Sequence, residues 1–373
     1  MRDLIKLAKS GDVNAQYKLG VTYKDGDGVK KNNRKAFKWL LKAAKQGHIS
    51  AQFNIGLYYF NGTGVEKCEE KAFEWFLKSA GQGYSRAQFK VGLCYFNGTG
   101  VEKCEEKAFE WFLKATEQGD AEAQFYVGLY YFDGNGVEKC EEKAFEWYLK
   151  SAEQGLAEAQ ANVAYCYNAG IGVEKNAYLS FEWYLKAAKQ GLAEAQSKVA
   201  YCYNAGIGVE KNVYLSFEWV LKAAMQGDMD AQSQTGICYF DGIGTCKDKK
   251  EAFKWFLKSA EQGNADAQSM LGFYYAIGDV VERDGRQAFK WFLKAAEQGN
   301  GIAQLQVADC YMDGFGVYKD EEEAFNWCLK AAEQGEKDAM FQVADMYGKG
   351  VGVKKDKEKA KEWHTKYLKC DDD

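Results

Sequence analysis

The chain has 373 residues with a formal net charge of −5; 47% of its residues are hydrophobic and 28% charged. That balance is too apolar for disorder and too often interrupted by charge to span a membrane. It also leaves no electrostatic footprint for nucleic acid or an anionic bilayer.

There is no proline, so helix boundaries fall to Gly and Asn or Asp. The opening Met1-Arg2-Asp3-Leu4 lacks the apolar stretch and cleavage site of a signal peptide, which points to the cytosol. Residues 4–10, Leu-Ile-Lys-Leu-Ala-Lys-Ser, match the second half of a helix that recurs later. Residues 1–10 are therefore expected to form an N-terminal cap.

Trp39, Trp75, Trp111, Trp147, Trp183, Trp219, Trp255, Trp291, Trp327 and Trp363 follow one another at intervals of 36. Residues 11–370 divide on that period into 11–46, 47–82, 83–118, 119–154, 155–190, 191–226, 227–262, 263–298, 299–334 and 335–370. The register never slips, so no linker interrupts the array.

Repeat 2 shows how one unit reads. A first helix starts near His48 to Ser50 and carries Ala51, Ile55 and Tyr59 at i, i+4 and i+8, one helical face. Gly56 lies on that face, and its register holds only Gly or Ala from Gly20 to Ala344, as a close helix crossing requires. Asn61-Gly62-Thr63-Gly64 breaks the helix, and Val65 plugs the loop into the core. A second helix runs from about Glu69 to Gln82, with Ala72, Phe73, Trp75, Phe76, Leu77, Ser79 and Ala80 on its apolar side. Glu70, Glu74 and Lys78 face water there, with Glu74 and Lys78 spaced as an i, i+4 ion pair.

No unit can bury both of its faces alone, so stacking must supply the missing core. At the far end Lys361, His364 and Thr365 replace apolar residues, as a capping helix would. Asp371 to Asp373 form an acidic tail. Asn61–Lys78 is identical to Asn97–Lys114, and repeats 5 and 6 differ only at positions 161, 162, 177, 184 and 189, the mark of duplication.

The run 51–59 (Ala-Gln-Phe-Asn-Ile-Gly-Leu-Tyr-Tyr), with Gly-Thr-Gly-Val at 62–65, Lys-Ala-Phe-Glu-Trp at 71–75 and Gln-Gly at 82–83, resembles the Sel-one-like repeat of the tetratricopeptide-like superfamily. The resemblance covers essentially the whole chain. It implies an all-α fold, a right-handed α/α superhelix of antiparallel helix pairs with the first helices lining the concave side. It also implies scaffold or adaptor roles in signalling, quality control or host–microbe contact. Val280 and Met340 depart from the pattern, the first replacing a loop Gly and the second a Gln.

Chemistry is sparse. The two histidines, His48 and His364, are far apart in the linear order and support neither a metal site nor a triad. The Gly-x-Gly loops follow helices, so they are neither dinucleotide fingerprints nor phosphate loops. The eleven cysteines are odd in number. Cys94, Cys166, Cys202, Cys238 and Cys310 share one register, and Cys68, Cys104 and Cys140 another. Equivalent positions in stacked repeats lie roughly 8–10 Å apart, beyond the reach of a disulfide at about 7 Å. Half-buried free thiols in a reducing compartment are therefore expected. Some secreted bacterial relatives tie each helix pair with cysteines, a pattern missing here. No cofactor or metal is expected.

The remaining surface is a groove. By analogy with tetratricopeptide geometry it is lined by Phe53, Leu57 and Phe60, by Phe89, Leu93 and Phe96, and by Phe125, Leu129 and Phe132. In repeats 5 and 6 the same places hold Ala161-Tyr165-Asn168 and Ser197-Tyr201-Asn204, so the groove turns polar. The expected function is a cytosolic, non-enzymatic scaffold binding a peptide or helix of a partner protein, with no nucleic acid and no membrane. The alternatives are a secreted or luminal repeat protein and, last, the β-lactam hydrolase chemistry associated with some bacterial relatives, for which no nucleophile with a base is legible.

Overall fold

In a computed structural model, residues 1–369 are described; the acidic tail expected at 371–373 lies outside them. The chain divides into two compact units, residues 1–190 and the residues from Gly191 onward. The first holds α1 (Arg2–Lys9), α2 (Val13–Asp25), α3 (Asn33–Lys45), α4 (Ile49–Asn61), α5 (Glu69–Ala80), α6 (Ser85–Asn97), α7 (Glu105–Thr116), α8 (Ala121–Asp133), α9 (Glu141–Glu153), α10 (Ala157–Ala169) and α11 (Ala177–Lys189). The second holds α12 (Ala193–Ala205), α13 (Val213–Met225), α14 (Met229–Asp241), α15 (Lys249–Glu261), α16 (Ala265–Ile277), α17 (Gly285–Glu297), α18 (Gly301–Asp313), α19 (Glu321–Glu333), α20 (Lys337–Lys349) and α21 (Lys357–Lys369). There is no strand among the described residues. After α1, the helices alternate as first (A) and second (B) members of ten pairs.

Each A helix ends on a glycine in the left-handed region, as Gly62 does at φ 67°, where its N–H donates to the Tyr58 carbonyl. The loop then returns and the Cys68 amide donates to the Tyr59 carbonyl at 3.0 Å. That bond recurs in every repeat, at Asn32, Cys104, Cys140, Asn176, Asn212, Asp248, Asp284, Asp320 and Asp356. These residues are the N-caps of the B helices. Where the residue is Asn or Asp, its side chain accepts amides of the first turn, as Asp320 does from Glu322 and Glu323. Cys68, Cys104 and Cys140 make no such cap; their thiols donate instead to Glu70, Glu106 and Glu142 at 3.3–3.5 Å.

The small residue on the A helix meets a named partner. A Cβ on Gly56 would stand 2.5 Å from the Phe76 ring, and Gly92, Gly128, Gly236 and Gly272 face Phe112, Tyr148, Phe256 and Phe292 in the same way. The partner is twenty residues on, and where the A helix carries Ala200, Ala308 or Ala344 the partner position holds the smaller or more polar Val220, Cys328 or His364. Repeat 5, with Ala164 and Tyr184, keeps the large ring. Small against large fills the crossing without strain.

Three local readings change. The buried face of α4 is Ala51, Gln52, Ile55, Gly56 and Tyr58; Tyr59 is half-buried and packs edge-on against Phe37 at 5.5 Å. The apolar face of α5 is narrower than its sequence suggests: Leu77 is exposed, and the helix closes at Ala80. Lys78 lies over the Trp75 ring at 4.4 Å rather than reaching Glu74. The same Lys-on-Trp contact occurs in all ten repeats, and it shields the exposed face of tryptophans that are, except for Trp255, only half-buried.

At the ends, α1 buries Ala8 against Ala15 and Leu19. In α21, Lys361, His364 and Thr365 are exposed and no residue is buried.

Candidate functional site: the face of the A helices

A helices use one side for the core and leave the other to the registers of Phe53, Leu57 and Phe60. Phe53 is half-buried between the rings of Phe76 (5.7 Å) and Tyr84 (5.3 Å). Phe125 is half-buried too, 5.8 Å from Tyr148. Phe89 is a correction to the expected groove: it is 5% exposed, wedged against Phe112 and Tyr126 at 5.6 Å each. The reason is Tyr126, which in repeat 4 occupies the register of Asn54 and closes over the Phe89 ring.

The outer register differs. Phe60 is 40% exposed, and Phe96 and Phe132 are half-buried. Lys67, Lys103 and Lys139 hold their ammonium groups 5.7–6.0 Å from these three rings. Each lysine also pairs with a glutamate two residues on: Glu69, Glu105 or Glu141. The rings are thus open on one side and fixed by a cation on the other.

Leu57 and Phe60 come together with Leu93 across the crevice between α4 and α6, where they border a cavity of about 300 Å³. Phe76 and Cys94 form its floor, and Asn61, Asn97, Thr99 and Lys90 supply polar groups. Lys90 and Cys94 are lining residues that the sequence reading passed over. The signal was available in the 36-residue register: Lys90 stands where repeat 2 has Asn54 and repeat 4 has Tyr126. In the second unit an apolar hollow of about 380 Å³ lies between Phe240, Met270, Phe273 and Ile277, the last 69% exposed. Tyr165 and Tyr201 in the polar repeats are exposed at 46% and 60%.

Burial holds several thiols of the repeats in their neutral form. Desolvation pushes the thiols of Cys94, Cys166, Cys238 and Cys310 up to about 11, and that of Cys328 to about 12. Asp309 is raised by burial too, partly offset by Gln342. His48 accepts the Ala51 amide at 3.2 Å and stacks on Tyr17 at 4.2 Å, so it serves as a helix cap. Among the described residues no cluster of three or more His, Cys, Asp or Glu is placed to hold a metal ion, and the ten described cysteines are free. No helix among them is long and apolar enough to cross a membrane. The chemistry available on this face is apolar contact edged by amides.

The Sel1 repeat model matches at 13–48, 49–84, 85–120, 121–156, 157–192, 193–228, 230–264, 265–300, 301–336 and 337–367. Its frame starts two residues after the Trp-based division in most repeats, so that it opens on an A helix. No curated protein matches the sequence. Among solved structures, the chain is similar to c5321, described as a protective antigen of uropathogenic Escherichia coli with an SLR fold: 34% identity, TM-score 0.76, covering 97% of this chain and 85% of that one. It is also similar to a Sel1 repeat protein from Oxalobacter formigenes: 31% identity, TM-score 0.60, covering 88% and 93%. With ten matched repeats of alternating helices, this chain belongs to the Sel1 repeat family.

Proposed function

We propose that the chain is a non-enzymatic scaffold that binds a peptide or helical segment of a partner protein on its A-helix face and works in the cytosol. The observation that carries this reading is the row of Phe60, Phe96 and Phe132. Phe96 also packs on Tyr126 and Tyr130 and Phe132 on Tyr148, yet all three rings stay partly open, and Phe60 borders a crevice sized for one or two side chains. Aromatic residues in such a position dominate binding energy when a partner desolvates them. Apolar anchors spaced along a helix or extended peptide could engage neighbouring crevices together.

The test is affinity capture with mass spectrometry from the native cell, comparing the wild type with the triple variant F60S/F96S/F132S. A partner lost from a variant that melts like the wild type supports the reading. Equal capture by both, or loss that follows unfolding, overturns it.

A second reading, host contact by an exported protein, draws on the description of the Escherichia coli relative as a protective antigen. Cell fractionation separates the two: recovery outside the cytosol favours export.

A further inference from the structure

Four repeats begin their B helix with the same ion pair. Lys67–Glu69, Lys103–Glu105, Lys139–Glu141 and Lys319–Glu321 meet at 2.7–3.2 Å. In repeat 8 these registers hold Arg283 and Gly285. It is the one repeat whose cation here is an arginine, and the one with no side chain at all at the carboxylate position. One residue after Gly285, Arg286 stands where repeats 2, 3, 4 and 9 have Glu70, Glu106, Glu142 and Glu322, so the charge is reversed.

Arg283 is already oriented. Its Nε–H donates to the Ala276 carbonyl at 3.0 Å, and the guanidinium carbon lies 5.0 Å from the centre of the Phe315 ring. Both arginines border a cavity of about 740 Å³ walled by Tyr275, Val281 and Phe315. Among the described residues neither arginine has an ion-pair partner. Two of the three neighbouring acids are engaged elsewhere. Asp284 caps α17, accepting the amides of Arg286 and Gln287 at 2.9 and 3.1 Å. Asp279 pairs with Lys249. Glu282 lies on the cavity wall unpaired with either arginine.

We propose that this loop site between repeats 8 and 9 receives the side-chain carboxylate of a glutamate in a partner protein, held by Arg283 and Arg286 beside Phe315. The missing glutamate of the repeat is thus supplied from outside. A guanidinium offers the planar fork that a carboxylate matches with two hydrogen bonds, which the lysines of the other repeats do not. Repulsion from Glu282 and Asp284 favours one carboxylate on a neutral backbone over a run of acids.

The experiment titrates the neutral-backbone peptide Ac-Gly-Gly-Glu-Gly-Gly-amide into the full chain at low salt. The Arg Nε–H signals are followed by NMR and assigned with R283K and R286K. A saturable shift of the Arg283 signal is expected, absent with the Gln version of the peptide and weakened at least about tenfold in R283Q, measured on the Arg286 signal. G285E puts the repeat's own carboxylate back and should abolish the response, at the cost of crowding its Cβ against the Gly316 amide at 3.0 Å and the Phe315 ring at 3.1 Å. G285A, which adds only a Cβ, should keep it.

No shift in the wild type, or an undiminished shift in folded G285E, overturns the proposal. So does saturation by inorganic phosphate at about tenfold lower concentration than by the peptide, which would mark a phosphoryl site. The site shares no residue with Phe60, Phe96 and Phe132, so its failure leaves the A-helix reading standing, and the reverse.

Discussion

The side-chain amide of Gln82 donates to the side-chain carbonyl of Gln52 at 2.7 Å, while the Gln52 amide donates to the Ala44 carbonyl at 3.2 Å. One buried glutamine therefore ties the end of α3 to the end of α5, joining two repeats. Gln16–Gln46, Gln124–Gln154, Gln160–Gln190, Gln232–Gln262 and Gln268–Gln298 repeat the amide pair at 2.7–2.8 Å. Replacing Gln52 by Met, the residue that repeat 10 carries at this register as Met340, keeps volume but removes both amide bonds, leaving the Ala44 carbonyl with the Gly47 amide at 3.0 Å as its partner. Urea unfolding should show a loss of about 1–3 kcal/mol. Gln82→Ala should cost less, because Gln82 is exposed and water can replace it. Equal losses would mean the tie is not held through Gln52.

Gly56 and Phe76 should behave as one unit. Gly56→Ala forces the ring aside and should destabilise by about 1–3 kcal/mol. Phe76→Val alone leaves a cavity. The double variant reproduces the Ala200–Val220 pairing of repeat 6, so it should be less damaged than the sum by at least about 1 kcal/mol. Strict additivity in a double-mutant cycle would show that the two residues are not in contact.

The B helices of repeats 2 to 4 are under-capped. Changing Cys68, Cys104 or Cys140 to Asp supplies the acceptor that Asp248, Asp284 and Asp320 already provide. Each change should add about 0.5–1 kcal/mol, somewhat reduced by the adjacent glutamates. Thermal melts of the single variants decide it, and a lowered midpoint would show the thiol–glutamate contact to be the better arrangement.

Tryptophan truncations should rank by burial. Trp255 is 7% exposed, whereas Trp183 is half-buried beneath Lys186 at 3.5 Å. Trp255→Ala should cost about 3–5 kcal/mol and Trp183→Ala less, and each should broaden melting rather than shift it as a whole. A single sharp transition in both variants would contradict repeat-by-repeat unfolding.

Alkaline pH should weaken the fold through its buried thiols. Cys94, Cys166, Cys238 and Cys310 have an ordinary value of 9.0 and are raised to about 11 in the folded chain. The native state thus holds on to protons that the unfolded chain gives up. Their contribution is complete below about pH 9 and is lost as pH rises through about 11. Melting temperature should fall across that window, and less so in C94A/C166A. At pH 8 the exposed Cys246 should react with a thiol reagent well before these four. Simultaneous reaction would mean that they are not shielded.

The helix pairs, their number and their frame were determined by the sequence, because a 36-residue period with small, aromatic and glycine residues at fixed registers admits one local solution repeated ten times. The Gly56 register could be read as a close crossing for the same reason. Which ring it meets could not, since Phe76 arrives from another helix.

Tertiary structure decided every question of exposure. Phe53, Phe89 and Phe125 look identical along the chain, yet of the three only Phe89, wedged between Phe112 and Tyr126, is buried. Tyr58 and Tyr59 are adjacent and both reach the Phe37 ring, yet only Tyr58 is buried. In the sequence, the 36-residue register marks Arg283 as the one arginine among lysines. Only the folded loop shows that the glycine two residues on has left it without a counterion, because an ion pair is a matter of distance across a turn.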